Sequence, residues 1–324
     1  MPCVRRSLRE VQIPTARPFE MTRPAIAVVV LNWNGADDTL ACVESLRRST
    51  VPIHIIVVDN GSTDDSVPRI RATSLADEIV LTGKNLGYAE GNNRGLRAAL
   101  DGGFDVIAVL NNDALVAPDT LDLLRGQLPP SEHRAVSPDI RYLDRPDESW
   151  FAGGVIDRGW PRHLQPAELV NDPRALRPSQ CLSGCCIAAR RETWERVGLF
   201  DPKYFLIFED SDWSMRAVGS GVSLYVVTGS TIQHHVSKSL RHGPASLLAS
   251  YYFVRNGLRF EARYFTRQLP RFAYQWLIRP SPRLARDRKL AELAFRWLGA
   301  LAFATGLSGR APRALERLAA HLTR

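Results

Sequence analysis

Three apolar runs, broken only by His54, constrain this fold more than anything else in the chain. Ala25 to Leu31, Ile53 to Val58 and Val106 to Leu110 contain no Asp, Glu, Lys or Arg and are rich in Val and Ile. A strand that buries one face alternates apolar and polar side chains. A strand that is apolar throughout buries both faces, as in a parallel sheet covered by helices. Segments with helical spacing lie between these runs. Asp37 to Arg48 places Leu40, Val43 and Leu46 on one face, a helix begins near Asp64 with Ser62 or Thr63 able to cap it, and Gly91 to Leu100 follows. Glu78 to Leu81 reads as one further short strand. Alternation of this kind predicts an α/β fold with a doubly wound, mostly parallel sheet. Ligands of such sheets bind beyond the carboxyl ends of the strands, where Asn32, Asp59, Asn85 and Asp113 all fall.

The regular order then loosens. Residues 129–178 are rich in Pro, Gly and charge. Ser183 to Ala189 reads as a strand, Arg191 to Val197 as a short helix and Ser223 to Val227 as another strand. From Ala245 onward the pattern is helical, broken by Pro270 and by Pro280-Ser281-Pro282. This predicts three parts: a basic, disordered arm over 1–23 (with Met21 an alternative start), a main domain over 24–240 and a basic, aromatic-containing helical segment over 241–324.

Composition excludes several classes. The five cysteines are odd in number and form no C-x-x-C pair, which argues against a disulfide framework or structural zinc and for buried free thiols. The first residues have no apolar secretory core, and the longest uncharged apolar stretch, Trp297 to Gly309, is shorter than the ~18–20 residues of a spanning helix. A cytoplasmic protein is expected. Its net charge of +8 is lopsided: residues 241–324 carry 16 Lys/Arg against 4 Asp/Glu. Such a tail can meet anionic lipid, nucleic acid or another protein.

The chemistry-bearing residues fall in a few clusters. Phe208-Glu209-Asp210-Ser211-Asp212-Trp213 sets three carboxylates among aromatic residues, and carboxylates in apolar surroundings are candidates for proton transfer or metal binding. Either Asp210 or Asp212 can act as a general base on a bound hydroxyl. Asn112-Asp113, after a buried strand, can hold a hard divalent cation whose other ligands are phosphate oxygens. Asp59 can accept from a base or ribose. His234 or the adjacent His235 can add a metal ligand or a phosphate contact, with Ser237 and Ser239 nearby, and Arg255 can offer a cation to a diphosphate. Neither G-x-G-x-x-G nor a P-loop follows the first strand.

Taken in order, these pieces resemble glycosyltransferase family 2, the inverting enzymes of GT-A fold, and within it a rhamnosyltransferase-like branch. The resemblance runs from about Ala25 to Phe260. Its pieces are V-V-V-L-N-W-N-G (28–35), V-V-D-N-G-S-T-D-D-S (57–66), N-L-G-Y-A-E-G-N-N-R-G (85–95) and L-N-N-D-A (110–114). S-G-C-C-I-A-A-R-R-E-T-W-E-R-V-G-L-F-D (183–201), F-E-D-S-D-W-S-M-R (208–216), H-H-V-S-K-S (234–239) and Y-Y-F-V-R-N (251–256) complete it.

The resemblance implies a nucleotide-sugar half over about 24–115 and an acceptor half over about 116–240. Asn32, Trp33, Asp59, Lys84, Asn85, Asn93, Asn112 and Arg255 would bind the nucleotide sugar. Asp113, at the family's D-x-D position, would hold Mg2+ or Mn2+ together with His234. Asp210 would be the base, with Glu209 and Asp212 orienting it or the acceptor. The donor would be a dTDP- or UDP-sugar, with rhamnose the sugar that the branch suggests. The acceptor would be a cell-surface glycan or its lipid-linked precursor, met at the inner face of the plasma membrane through the C-terminal segment. No nucleic acid is expected as a partner. A sugar nucleotidyltransferase is the nearest rival, but Asn32-Trp33-Asn34-Gly35 lacks the Gly-rich, Lys/Arg-bearing loop it would carry. A non-catalytic nucleic-acid binder using the basic tail is the rival outside enzymes.

Overall fold

The structure is a computed structural model that describes residues 26–169, 175–235 and 243–323. The expected N-terminal arm, Ser237 and Ser239 lie outside the described residues.

The first half alternates as its apolar runs predict. In chain order come β1 (Ile26–Asn32), α1 (Ala36–Leu46), β2 (Ile53–Asp59), α2 (Ser66–Thr73), β3 (Glu78–Leu81), α3 (Gly87–Asp101) and β4 (Val106–Asn111). These four strands pair in parallel in the order β4-β1-β2-β3. Side-chain alternation along β1 explains why the run had to be apolar throughout. Ile26, Val28 and Val30 pack on one side with Val43 and Leu46 of α1, while Ala27 and Val29 pack on the other with Leu96 and Ala99 of α3. Each such buried aliphatic side chain contributes roughly 1.5–3 kcal/mol of transfer free energy. Helix α3 lies very close to the sheet: a Cβ added at Gly95 would fall 2.7 Å from Val58 and would also meet Val29.

The second half is where the structure adds most. It contains β5 (Ala114–Val116), α4 (Thr120–Gly126), β6 (Arg134–Tyr142), β7 (Ser149–Phe151), β8 (Gly154–Asp157), β9 (Trp160–His163), α5 (Pro166–Leu169), β10 (Leu176–Ser179), β11 (Cys186–Arg190), α6 (Arg191–Val197), α7 (Glu209–Gly219) and β12 (Ser223–His234). The loosely patterned stretch 129–178 therefore holds β6 to β9 and most of β10. Short strands interrupted by Pro and charge leave too little period-two signal to be read. β11 enters antiparallel between β4 and β6, and β12 lies beyond β6, parallel to it. The result is a ten-stranded mixed sheet with a separate β8–β9 hairpin.

Beyond the sheet come α8 (Gly243–Tyr264), α9 (Leu269–Ala273), a π-helical turn over Tyr274–Ile278, α10 (Ser281–Arg286), α11 (Leu290–Ala304) and α12 (Arg313–Leu322). Pro270 and Pro282 stand in the first turns of α9 and α10, where a missing N–H costs nothing, so they start helices as well as interrupting the pattern. The helices share buried clusters with the loop between α6 and α7, through Phe205, Tyr204 and Phe208. The cap expected from Ser62 or Thr63 is absent: α2 begins after Asp65 with no side-chain cap, and Ser62 Oγ instead bonds Asn32 and the Asn34 N–H. No described helix is long and apolar enough to cross a membrane. Cys42, Cys181, Cys185 and Cys186 are buried free thiols, as expected.

Candidate active site

The carboxyl ends of β1, β2 and β4 are tied together by side chains. Asn32 is fully buried; its Nδ2 donates to Asp59 Oδ1 at 2.9 Å, and its Oδ1 accepts from Thr39 Oγ1 at 2.7 Å. Asn112 Nδ2 in turn donates to Thr39 Oγ1 at 2.9 Å. Asp59 Oδ2 accepts the Ser62 N–H. The sequence-based role of Asn32 is therefore corrected. Both ends of its amide are engaged, so it fixes Asp59 directly, and Asn112 through Thr39, as a strut between strand ends. Trp33, the next residue, is half exposed at the rim.

The turn between β3 and α3 forms the neighbouring wall. Asn85 Oδ1 accepts the Gly87 N–H at 2.8 Å, and Asn60 Oδ1 accepts the Leu86 N–H at 2.9 Å. Lys84 is exposed beside them. Arg310, from the turn before α12, donates to the Asn85 carbonyl, a contact that no local pattern announces. Asn93, expected at the nucleotide sugar, does other work. It is buried, and its amide exchanges two hydrogen bonds with the Phe200 backbone, pinning α3 to the loop after α6.

At the end of β4, Asp113 Oδ1 lies 3.0 Å from His234 Nε2, and the Asn111 amide is 3.3 Å from the same nitrogen. His234 is buried and its Nδ1 has no partner among the described residues. His235 is exposed and reaches Asp113 only through a backbone N–H, so His234 is the histidine at this carboxylate. The Trp150 ring stands between His234, at 5.2 Å, and His163, at 4.8 Å. His163 Nδ1 is 2.8 Å from the Trp150 carbonyl, and burial holds this imidazole below its ordinary pKa, while the charge of Asp210 works against that shift. Trp150 and His163 come from the stretch with the weakest sequence pattern and were not foreseen.

The acidic motif opens α7, and its three carboxylates are sorted by position. Asp210 is half-buried; its Oδ2 accepts the Gly184 N–H at 2.9 Å and its Oδ1 accepts from Ser211. Cys185, next to Gly184, accepts the Asn111 N–H at 2.9 Å. Two consecutive residues thus link the end of β4 to Asp210. Tyr88 Oη also donates to the Gly184 carbonyl. Glu209 is buried, its Oε2 lacks a partner among the described residues, and burial together with the charge of Asp210 pushes its carboxyl up to about 8. At neutral pH it is therefore mostly uncharged beside Asp210.

Asp212 is fully buried, and Arg216, Arg263 and Tyr264 donate to it at 2.8–3.0 Å. The reading that Asp212 is the base, or touches the acceptor, is corrected: its lone pairs join α7 to α8. Arg255, expected at a diphosphate, is corrected in the same way. It has no exposed surface, and its guanidinium bonds Asn256 Oδ1 and the carbonyls of Lys203 and Tyr204. Asn256 Nδ2 donates to the carbonyls of Tyr204, Leu206 and Ile207 at 2.7, 2.8 and 2.9 Å. These bonds hold the loop that leads into Asp210, where Phe205, Ile207 and Phe208 all have left-handed backbone angles, φ +61°, +69° and +77°. Non-glycine residues pay ~1–2 kcal/mol each for that region, so the loop needs outside support.

The matching of known proteins agrees with this geometry. A model described as glycosyltransferase-like family 2 matches residues 24–247. The chain belongs to glycosyltransferase family 2. The enzyme is 30% identical over 304 residues to the N-acetylglucosaminyl-diphospho-decaprenol L-rhamnosyltransferase of Mycobacterium tuberculosis, covering 82% of this chain and 96% of that protein. It is 21% identical over 241 residues to the dTDP-rhamnosyl transferase RfbF of Shigella flexneri, covering 71% and 78%. Among solved structures, the mannosyltransferase PcManGT from Pyrobaculum calidifontis, in complex with GDP-Man and Mn2+, aligns with a TM-score of 0.55 at 18% identity over 88% of each chain. GalNAc-T7 with UDP, GalNAc and Mn2+ aligns with a TM-score of 0.56 at 17% identity, over 79% of this chain and 55% of that one. These likenesses identify the glycosyltransferase as a GT-A fold.

The donor set at Asp113 fits a divalent cation in part. Asp113 and His234 are near enough to reach one ion, and a carboxylate with an imidazole suits Mn2+ better than Mg2+. No cluster of three or more acidic, His or Cys ligands exists among the described residues, so the remaining positions would fall to phosphate oxygens and water.

Proposed function

We propose that this enzyme transfers a sugar with inversion from a nucleoside diphosphate donor to a hydroxyl of a lipid-linked glycan precursor, with rhamnose from dTDP-rhamnose as the donor. Two named rhamnosyltransferases among its relatives support the choice of sugar. The observation that carries the mechanism is the Gly184–Cys185 link, which sets Asp210 against the Asn111–Asp113 end of β4. Asp210 takes the proton of the acceptor hydroxyl as its oxygen bonds to the anomeric carbon. The bond from that carbon to the diphosphate breaks on the opposite face and the configuration inverts. Glu209, mostly uncharged, leaves Asp210 without a second full charge beside it. Asp59 contacts the base, Trp33 lines its pocket, and Lys84, Asn85 and Asn112 lie toward the phosphates. Asp113 and His234 would hold a divalent cation, which supplies charge neutralisation to the leaving diphosphate.

Residues 24–240 form the catalytic region in this reading, with a nucleotide-sugar half to about 115 and an acceptor half after it. The C-terminal helices meet the cytoplasmic face of an anionic membrane. Tyr274, Ile278, Leu290, Trp297 and Leu301 are each about half exposed, alongside Arg283 and Arg286, a combination that suits a lipid surface.

A thermal-shift panel of dTDP-, UDP- and GDP-sugars with and without Mn2+ tests the donor. Asp210→Asn is expected to keep dTDP binding and lose turnover 100-fold or more. Stabilisation by none of these nucleotides, or an active Asp210→Asn variant, would overturn the proposal.

A further inference from the structure

A pocket of about 100 Å³, open to solvent on one side, lies between the β8–β9 hairpin and the C-terminal helices. Its wall is aromatic: Trp160 packs on Phe272 and Trp276 with near-parallel rings at 5.3 and 4.9 Å. Glu261 of α8 also lines it. That residue is 2% exposed, and its Oε2 has no hydrogen-bond partner among the described residues. A buried carboxylate without a partner destabilises a fold, so one retained in a cavity points to a ligand that completes it. Gly159 sits against the same oxygen with φ +90°, and a Cβ there would stand 3.1 Å from Glu261 Oε2 and 3.2 Å from Phe265. Gln275 and Trp276 are presented by the π-helical turn, a rare conformation frequent at functional sites.

The lining selects the ligand. Asp157 and Glu261 are equal in number to Arg158 and Arg271, so the lining as a whole carries no net charge. Two amides, Gln268 and Gln275, offer both donors and acceptors. Aromatic walls, a hydroxyl-accepting carboxylate and amides suit the apolar C–H faces and the hydroxyls of a sugar ring.

We propose that this pocket is a saccharide subsite taking a neutral sugar unit of the acceptor, apart from the unit that reacts. The placement rests on the glycosyltransferase reading above. Trp160 and His163 stand at opposite ends of β9, three residues or ~10 Å apart, and strand alternation turns them to opposite faces. The subsite therefore opens on the other face of β9 from His163, and the Trp160 ring contacts Phe208, two residues before Asp210.

Saturation-transfer NMR on the full chain, with dTDP saturating, tests this. The probes are N-acetylglucosamine, L-rhamnose and D-galactose, with spermidine as the cationic and inorganic phosphate as the anionic control. At least one sugar is expected to give a signal that falls fivefold or more in both Glu261→Gln and Trp276→Ala. Both variants should bind dTDP as the wild type does, and Glu261→Gln should melt no lower. Absence of any sugar signal, a sugar signal that survives both substitutions, dependence of spermidine or phosphate binding on Glu261, or a lower melting temperature for Glu261→Gln would overturn the subsite. Failure of the wild type to bind dTDP, UDP or GDP would instead sink the donor reading and leave a sugar signal at Glu261 standing.

Discussion

Asn256→Asp separates a base that is held in place from one that merely sits near the donor. The substitution is nearly isosteric and opens no cavity, but it replaces an amide that donates to three carbonyls with a carboxylate that can only accept. Leaving a buried carbonyl unpaired costs ~1–3 kcal/mol. An NH2 group has two protons for its three acceptors, so the lost donation amounts to roughly 2–6 kcal/mol, offset in part because the new carboxylate keeps the hydrogen bond from Arg255. That is comparable with the total strain of three left-handed residues at ~1–2 kcal/mol each, so the loop is expected to leave its native conformation. A shift of about 1 Å in a reacting group costs ~100-fold in rate. Steady-state kinetics of sugar transfer, or of donor hydrolysis, should show kcat reduced about 100-fold with donor KM within about threefold of wild type. Wild-type kcat in Asn256→Asp, or a loss confined to donor KM, would refute the argument.

Glu209→Gln should change how stability depends on pH. A carboxyl whose folded value is raised to about 8 binds more protons when folded, so its contribution falls as pH rises from about 4.5 through 8. Thermal melts across pH 5–8.5 should be flatter for the variant; an unchanged slope would remove Glu209 as the titrating group. Gly95→Ala forces a methyl group against Val29 and Val58 and should destabilise by ~1–3 kcal/mol, read as a lower urea midpoint with unchanged donor KM. His234→Ala should raise the Mn2+ concentration needed for half-maximal turnover at least tenfold, whereas His235→Ala, at an exposed position, should leave it unchanged. Replacing Trp297 and Leu301 together by Ser should lower recovery with anionic liposomes in flotation and spare activity on a soluble acceptor.

The first half of the fold was legible because β1, β2 and β4 bury both faces, which leaves a continuous apolar signature and a residue of known chemistry at each strand end. Within residues 129–178 the strands β7 to β10 were not legible: β7 has three residues and β8, β9 and β10 four each, too few for a period to emerge. Asp113 and Asp210 could be singled out as candidates because each stands in a local motif, one at the end of an apolar strand and the other among aromatic residues. Residues whose role depends on a distant contact could not. Arg255 and Asn256 read as a cation and an amide of unknown use, because nothing local shows that α8 returns to the Tyr204–Phe208 loop about fifty residues earlier. Asp212 misled for the reverse reason, since its neighbours in sequence are acidic while its partners in space are basic.

That return contact has a consequence for the order in which the enzyme becomes competent during its synthesis. The sheet, the strand-end network and the acidic motif have all left the ribosome before α8 does. Until Asn256 emerges, the strained turn at Phe205–Phe208 lacks the donor that fixes it, and Asp210 has no settled position. Sugar transfer is thus expected to switch on late, after a further stretch of chain has been added to a sheet that is otherwise ready to fold.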